Sequence, residues 1–223
     1  MKKLILPLLL LVAFGMLAAV ESDPSEVVGY VKYNTSTGIN YLALPMSFSW
    51  SNTTQFAQSF PTGTVTSVAA FDNATHLWKV INRLPTGVWT GTAWPLTNGN
   101  LVRINGAATV AAAFYSIGDL PATMPSWTLY TGINYLSIPL NKSSLTTASL
   151  LGNNINTGGV KVNSIGRYNN TTKVWQIANR LPTGVWTGTL TTVAIGDPIR
   201  VNAVVQTDWP VRGTIEAPLS TSK

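Results

Sequence analysis

The chain has no cysteine, one histidine and only eight acidic side chains in 223 residues. Without thiols it forms no disulfides and carries no sulfur-linked lipid, so each domain must be held by its own core. One histidine is too little for a zinc site, and no oxygen-rich loop suits calcium. The carboxylates include no pair within one half of the chain spaced for acid–base work. His76 sits near Asp72, but the matching positions in the second half hold Lys173 and Asn169, and no nucleophile is marked. Neither an enzyme nor a cofactor is expected. Lysine and arginine are scattered singly with no basic run, which argues against nucleic acid as a partner.

What is present begins with a leader. Lys2 and Lys3 precede an apolar run over residues 4–20, and the small residues Ala18, Ala19 and Ser22 follow as a signal peptidase site requires. The run is 17 residues long and contains Pro7, which is short for a membrane span. Residues 1–22 therefore read as a signal peptide, and the membrane enters only during export. Removing Lys2 and Lys3 lowers the formal charge from +6 to +4.

The remainder is a duplication. Residues 37–46 (TGINYLALPM) recur as residues 131–140 (TGINYLSIPL), an offset of 131 − 37 = 94. Residues 82–92 (NRLPTGVWTGT) recur unchanged at 179–189, an offset of 179 − 82 = 97. The second copy thus carries a three-residue insertion, placed near residues 153–159. A period of this length is a domain rather than a solenoid unit. The reading assigns residues 23–118 to a first domain, 119–125 to a linker, 126–218 to a second domain and 219–223 to a tail.

Within each copy the apolar period is two, the mark of strands. Leu42 and Leu44 match Leu136 and Ile138. Trp78 and Val80 match Trp175 and Ile177, with Lys79 and Gln176 between them expected to face out. Val102 and Ile104 match Ile199 and Val201, with Arg103 and Arg200 expected on wet faces. Asx-rich segments 72–75 and 169–172, and the two LPTG segments, read as turns. One short helix per copy is expected, over residues 52–59 and 144–151. The fold class is all-β, with two tandem, homologous, small antiparallel β-sandwich or barrel domains.

The segments GINYLALP and GINYLSIP resemble the "G-[aromatic or aliphatic]-N-x-[Leu/Ile]-[Ser/Ala]-[Leu/Ile]-P" opening of a β-repeat group in secreted bacterial proteins. In that group a short helix and then a Trp-containing hairpin follow, as at residues 71–78 and 168–175. The resemblance spans nearly the whole chain after the leader and implies an extracellular, non-enzymatic module.

Trp78/Trp175 and Trp89/Trp186 recur, which favours a shared core role. Trp50, Trp94, Trp127 and Trp209 have no tryptophan opposite them. They are candidates either for the contact between domains or, for Trp50, Trp94 and Trp209, for stacking on surface glycans. Six sequons, at Asn34, Asn52, Asn73, Asn141, Asn169 and Asn170, read chiefly as turn chemistry. Two functions follow as expectations. The first is a self-associating extracellular filament or layer subunit, with the chain itself as partner; the second is a pair of carbohydrate-binding modules or a passive adhesin. A candidate assembly strand contains Val27, Val28, Tyr30, Val31 and Tyr33. At the 94 offset, Pro121 and Pro125 stand opposite Val27 and Val31, so the second domain is expected to lack this strand. The segment then either completes the next molecule's second domain or pairs within its own.

Overall fold

The computed structural model describes residues 28–107, 112–121 and 123–210; the leader, Val27 and residues 211–223 lie outside them. Among the described residues, fourteen strands and two helices make two homologous units. In the first repeat, β2 (Gly38–Ala43), β6 (Leu101–Gly106), β3 (Val65–Asp72), β4 (Leu77–Arg83) and β5 (Trp89–Gly91) form an antiparallel sheet in that order. In the second repeat, β9 (Gly132–Ser137), β13 (Pro198–Ala203), β10 (Val162–Asn169), β11 (Val174–Arg180) and β12 (Trp186–Gly188) repeat that order. Both sheets are open, so each unit is sandwich-like rather than a closed barrel.

Local chemistry sets the connections. Asp72 Oδ1 accepts from the N–H groups of Ala74 and Thr75, and Asn169 Oδ1 accepts from those of Thr171 and Thr172. Each Asx turn ends in a left-handed residue, His76 (φ 55°) or Lys173 (φ 61°). In both LPTG loops the glycine N–H returns to the leucine carbonyl, at 2.8 Å in the first and 2.9 Å in the second. Gly87 (φ 90°) and Gly184 (φ 92°) supply the positive φ that closes this three-residue hairpin loop.

Helix α1 (Thr53–Gln58) starts at Asn52, whose side chain accepts from two backbone N–H groups. Helix α2 (Ala148–Ile155) starts at Thr147, three residues beyond the expected Ser144. The apolar spacing decides this, because Ala148, Leu151, Gly152 and Ile155 lie on one helical face and are buried. α2 is two residues longer than α1 (8 against 6), which takes up most of the insertion.

The helix-side face of each sheet holds the core. Leu42, Val68, Ile81, Val102 and Ile104 pack with Phe56 in the first repeat. Leu136, Ile165, Ala178, Ile199 and Val201 pack with Leu151 and Ile155 in the second. Burying each of the larger aliphatic side chains contributes about 1.5–3 kcal/mol. A two-stranded ribbon closes each core. In the first repeat β1 (Val28–Thr35) pairs with β7 (Ala112–Asp119) over all eight residues. In the second, β8 (Trp127–Leu129) pairs with β14 (Thr207–Trp209) over three. The second repeat therefore keeps the inner end of its first strand. Pro121 and Pro125 precede β8, and the ribbon is short rather than absent.

Alternation misassigns β4 and β11. Ile81 and Ala178 face the cores, so Lys79 and Gln176 share the core side, while Trp78 and Trp175 point to the opposite face. That opposite face is covered too, because β2 lies against β13 and β6 against β9 of the other repeat.

Candidate interaction surfaces

The face between the repeats is built on an approximate two-fold axis between Tyr41 and Tyr135, whose rings stack at 6.0 Å and 10°. Tyr41 meets Tyr168 at 4.9 Å and Trp175 at 5.1 Å; Tyr135 meets Phe71 at 4.7 Å and Trp78 at 5.1 Å. Arg103 lies 4.5 Å over Trp78, and Arg200 lies 4.5 Å over Trp175. Each such cation–π contact is worth about 0.5–2 kcal/mol. The expected wet-face arginines and core tryptophans thus belong to the joint between repeats. Trp78 and Trp175 hold equivalent half-buried places there, outside either domain's core, whereas Trp89 and Trp186 are partly buried against the core of their own repeat, as expected.

The hairpin-tip contacts follow the same symmetry, and Ser137 and Ser36 add unmatched bonds to the carbonyls of Gly99 and Asn170. β2 and β9 are sheet edges, which leaves backbone groups needing partners. Asn170 accepts from the Tyr41 N–H at 2.8 Å and donates to its carbonyl at 2.9 Å. Asn73 does the same to Tyr135, at 2.8 and 3.0 Å. Lys173 Nζ donates to the Ile39 carbonyl at 2.7 Å, and His76 Nδ1 donates to that of Ile133 at 2.8 Å. The β3–β4 hairpin tip of the first repeat therefore caps β9, and the β10–β11 tip of the second caps β2. These asparagines read from sequence as turn residues or sequons. Their recurrence beside an Asx turn that already has its own capping residue is the signal that could have marked them. In this arrangement Nδ2 of Asn73 and of Asn170 is engaged, which leaves no room for a glycan.

Partial burial raises the Tyr135 hydroxyl to about 12, helped by the neighbouring Tyr41 phenol and opposed by Arg200 and Arg103. Desolvation lowers Lys173, and the Thr75 hydroxyl lowers Asp72. Among the described residues, no three histidine or acidic side chains gather as metal ligands.

The ribbon of the first repeat is the second surface. Tyr33 is buried, donates to the Ala43 carbonyl at 2.8 Å and stacks on Phe114 at 5.9 Å. Val31 packs against the same core. Their strand neighbours face outward: Tyr30 is 73% exposed, and its cross-strand partner Ile117 is 72% exposed. Tyr115 is also exposed, 6.3 Å from Tyr30 and under Lys32. Val28 pairs in register with Asp119. The outer edge of β1 carries no ladder partner among the described residues and borders a groove of about 520 Å³, with Ile195 and Asp197 on the far side.

The unmatched tryptophans sit mostly inside their own repeats. Trp209 is 2% exposed, stacks on Trp127 at 5.7 Å and donates to Asn154, so its ring is closed to a ligand. Trp127 and Trp209 align with Tyr33 and Phe114, which makes each ribbon carry one stacked aromatic pair. Trp50 is enclosed by Phe48, Phe56 and Phe114. Trp94 lies under Lys79 at 5.2 Å and lines a groove of about 560 Å³ with Phe71, Asn98, Asn100 and Tyr130.

No protein-family model, curated protein or solved structure matches the chain.

Proposed function

We propose that this chain is an exported, non-catalytic structural subunit that associates with further copies of itself at the cell surface through the first-repeat ribbon. The observation that carries the reading is the outer ribbon face, where Tyr30, Tyr115 and Ile117 stand exposed beside a strand edge with no ladder partner among the described residues. Apolar side chains next to an open edge favour strand-to-strand addition. Because β1 is already committed to β7, the ribbon acts here as an edge that receives a neighbour rather than as a strand handed over.

Negative-stain microscopy of the mature protein at high concentration tests this reading. Wild type is expected to form filaments or layers, and a Tyr30→Lys, Ile117→Lys variant is expected to remain dispersed with unchanged circular dichroism. Dispersed wild-type protein at every concentration overturns the reading.

The groove at Trp94 favours a second reading, in which the chain binds surface glycans by stacking on that ring and bonding to Asn98 and Asn100. A glycan array probed with wild type and Trp94→Ala separates the two readings. Binding lost with Trp94→Ala, together with absent polymer, selects the glycan reading.

A further inference from the structure

We propose that the face joining the two repeats also joins separate chains, with the first repeat of one molecule seated on the second repeat of another. The inference deepens the self-association reading by giving it a second surface, distinct from the ribbon.

Three observations carry it. First, each repeat presents both halves of the contact, a hairpin tip that clamps and a sheet edge that is clamped. Asn73 and His76 grip Tyr135 and Ile133, while Asn170 and Lys173 grip Tyr41 and Ile39. A surface that is its own complement about a two-fold axis is the geometry by which separate subunits pair.

Second, the clamps read backbone atoms through an Asn–Tyr pair that recurs in both repeats, and none requires the two repeats to share a chain. A first repeat meets the same partner atoms on any second repeat.

Third, the covalent tie is slight. Residues 120–126 alone connect β7 to β8, spanning at most about 25 Å when extended. Pro121 and Pro125 restrict how this segment folds back; Asn98 donates to the Thr123 carbonyl at 3.2 Å, and Pro125 packs closely on Gly99. An exchanged contact re-forms every bond of the intrachain contact. The balance between the two states is therefore set by protein concentration and by how easily the linker closes. Reciprocal exchange between two chains gives a closed pair; exchange onward to a third gives an open-ended chain.

The absence of cysteine makes the test clean. Ala74→Cys carries a donor fluorophore in one population of full-length mature chain, and Thr131→Cys carries an acceptor in another. Both positions are exposed and border the His76–Ile133 contact. After mixing at high concentration, energy transfer between chains is expected, growing with concentration. It should persist in the Ile117→Lys background and vanish when Asn73→Ala and Asn170→Ala are combined.

A second variant, lacking residues 122–124, forces the choice. It is expected to run at the mass of two or more chains while retaining the near-ultraviolet dichroism of the aromatic face. Absence of interchain transfer at every concentration, or a shortened-linker chain that stays single with that signal lost, overturns the inference. Transfer without filaments would sink the ribbon reading and leave this one standing; filaments without transfer do the reverse.

Discussion

The two ribbons are the same device built to two lengths. Both place a stacked aromatic pair over the core, Tyr33 on Phe114 in one and Trp127 on Trp209 in the other. Beyond that pair the first ribbon continues through Val28 and Asp119, whereas β8 begins at Trp127, immediately after Pro125 and Ser126. Proline cannot donate to a ladder, so the second ribbon stops where its prolines begin. The inner end of each ribbon covers its core, while the outer end is found, among the described residues, in the first repeat alone.

The sharpest way to break this comparison is to remove the aromatic pair. Trp209→Ala should cost about 3–5 kcal/mol, because the ring is fully enclosed and its N–H is bonded to Asn154. Phe114→Ala should cost less, since that ring is only partly buried. Urea unfolding of both variants measures the difference, and equal losses would make the ribbons equivalent in strength.

Alkali separates the repeats in another way. Tyr33 is raised by burial in the first repeat, while Trp127, its counterpart, does not titrate. Tyr135 is raised to about 12 from 10.0. Raised phenols stabilise the folded state fully below the unfolded value and lose that contribution as pH climbs through the folded one. Stability should therefore fall from about pH 10 to about pH 12. Both repeats should weaken over this range, because Tyr135 and Tyr168, also raised, lie in the second; Tyr33→Trp should flatten the first repeat's decline and leave the second's unchanged. Calorimetry across this range compares the two.

The joint offers a test of symmetry. Asn170→Ala and Asn73→Ala each strip two bonds from a sheet edge, so each should cost about 1–3 kcal/mol, and the two costs should agree. Either variant should also loosen the coupling between repeats, visible as a broadened or split calorimetric transition. Unequal costs would show that the two-fold geometry is not matched in energy.

The smallest contrast lies at the helix caps. Asn52 accepts two N–H groups and Thr147 one, so Asn52→Ala should cost more than Thr147→Ala within about 0.5–2 kcal/mol. Thermal denaturation of the pair resolves it.

Much of the fold was legible because its causes are local. Period-two runs mark strands, Asp72 and Asn169 mark hairpin turns, and Gly87 and Gly184 mark the loops that need positive φ. α2 was misplaced by three residues because Ser144 and Thr147 are both acceptable caps, and only the helix's buried face chooses between them. The ribbon of the second repeat was hidden because three residues carry too little pattern to announce a strand.

The candidate surfaces were less legible, for a physical reason. Alternation says that a strand has two faces but not what covers each. In β4 both faces are covered, Ile81 by its own core and Trp78 by the other repeat, so hydrophobicity could not assign the sides. The sequence by itself determined the duplication, the all-β class and the turn chemistry, since these rest on contacts a few residues long. Only the tertiary structure decided that Tyr41, Tyr135, Asn73 and Asn170 form a two-fold joint. Their bonds cross 62 and 129 positions of chain, and no local preference encodes a partner that distant.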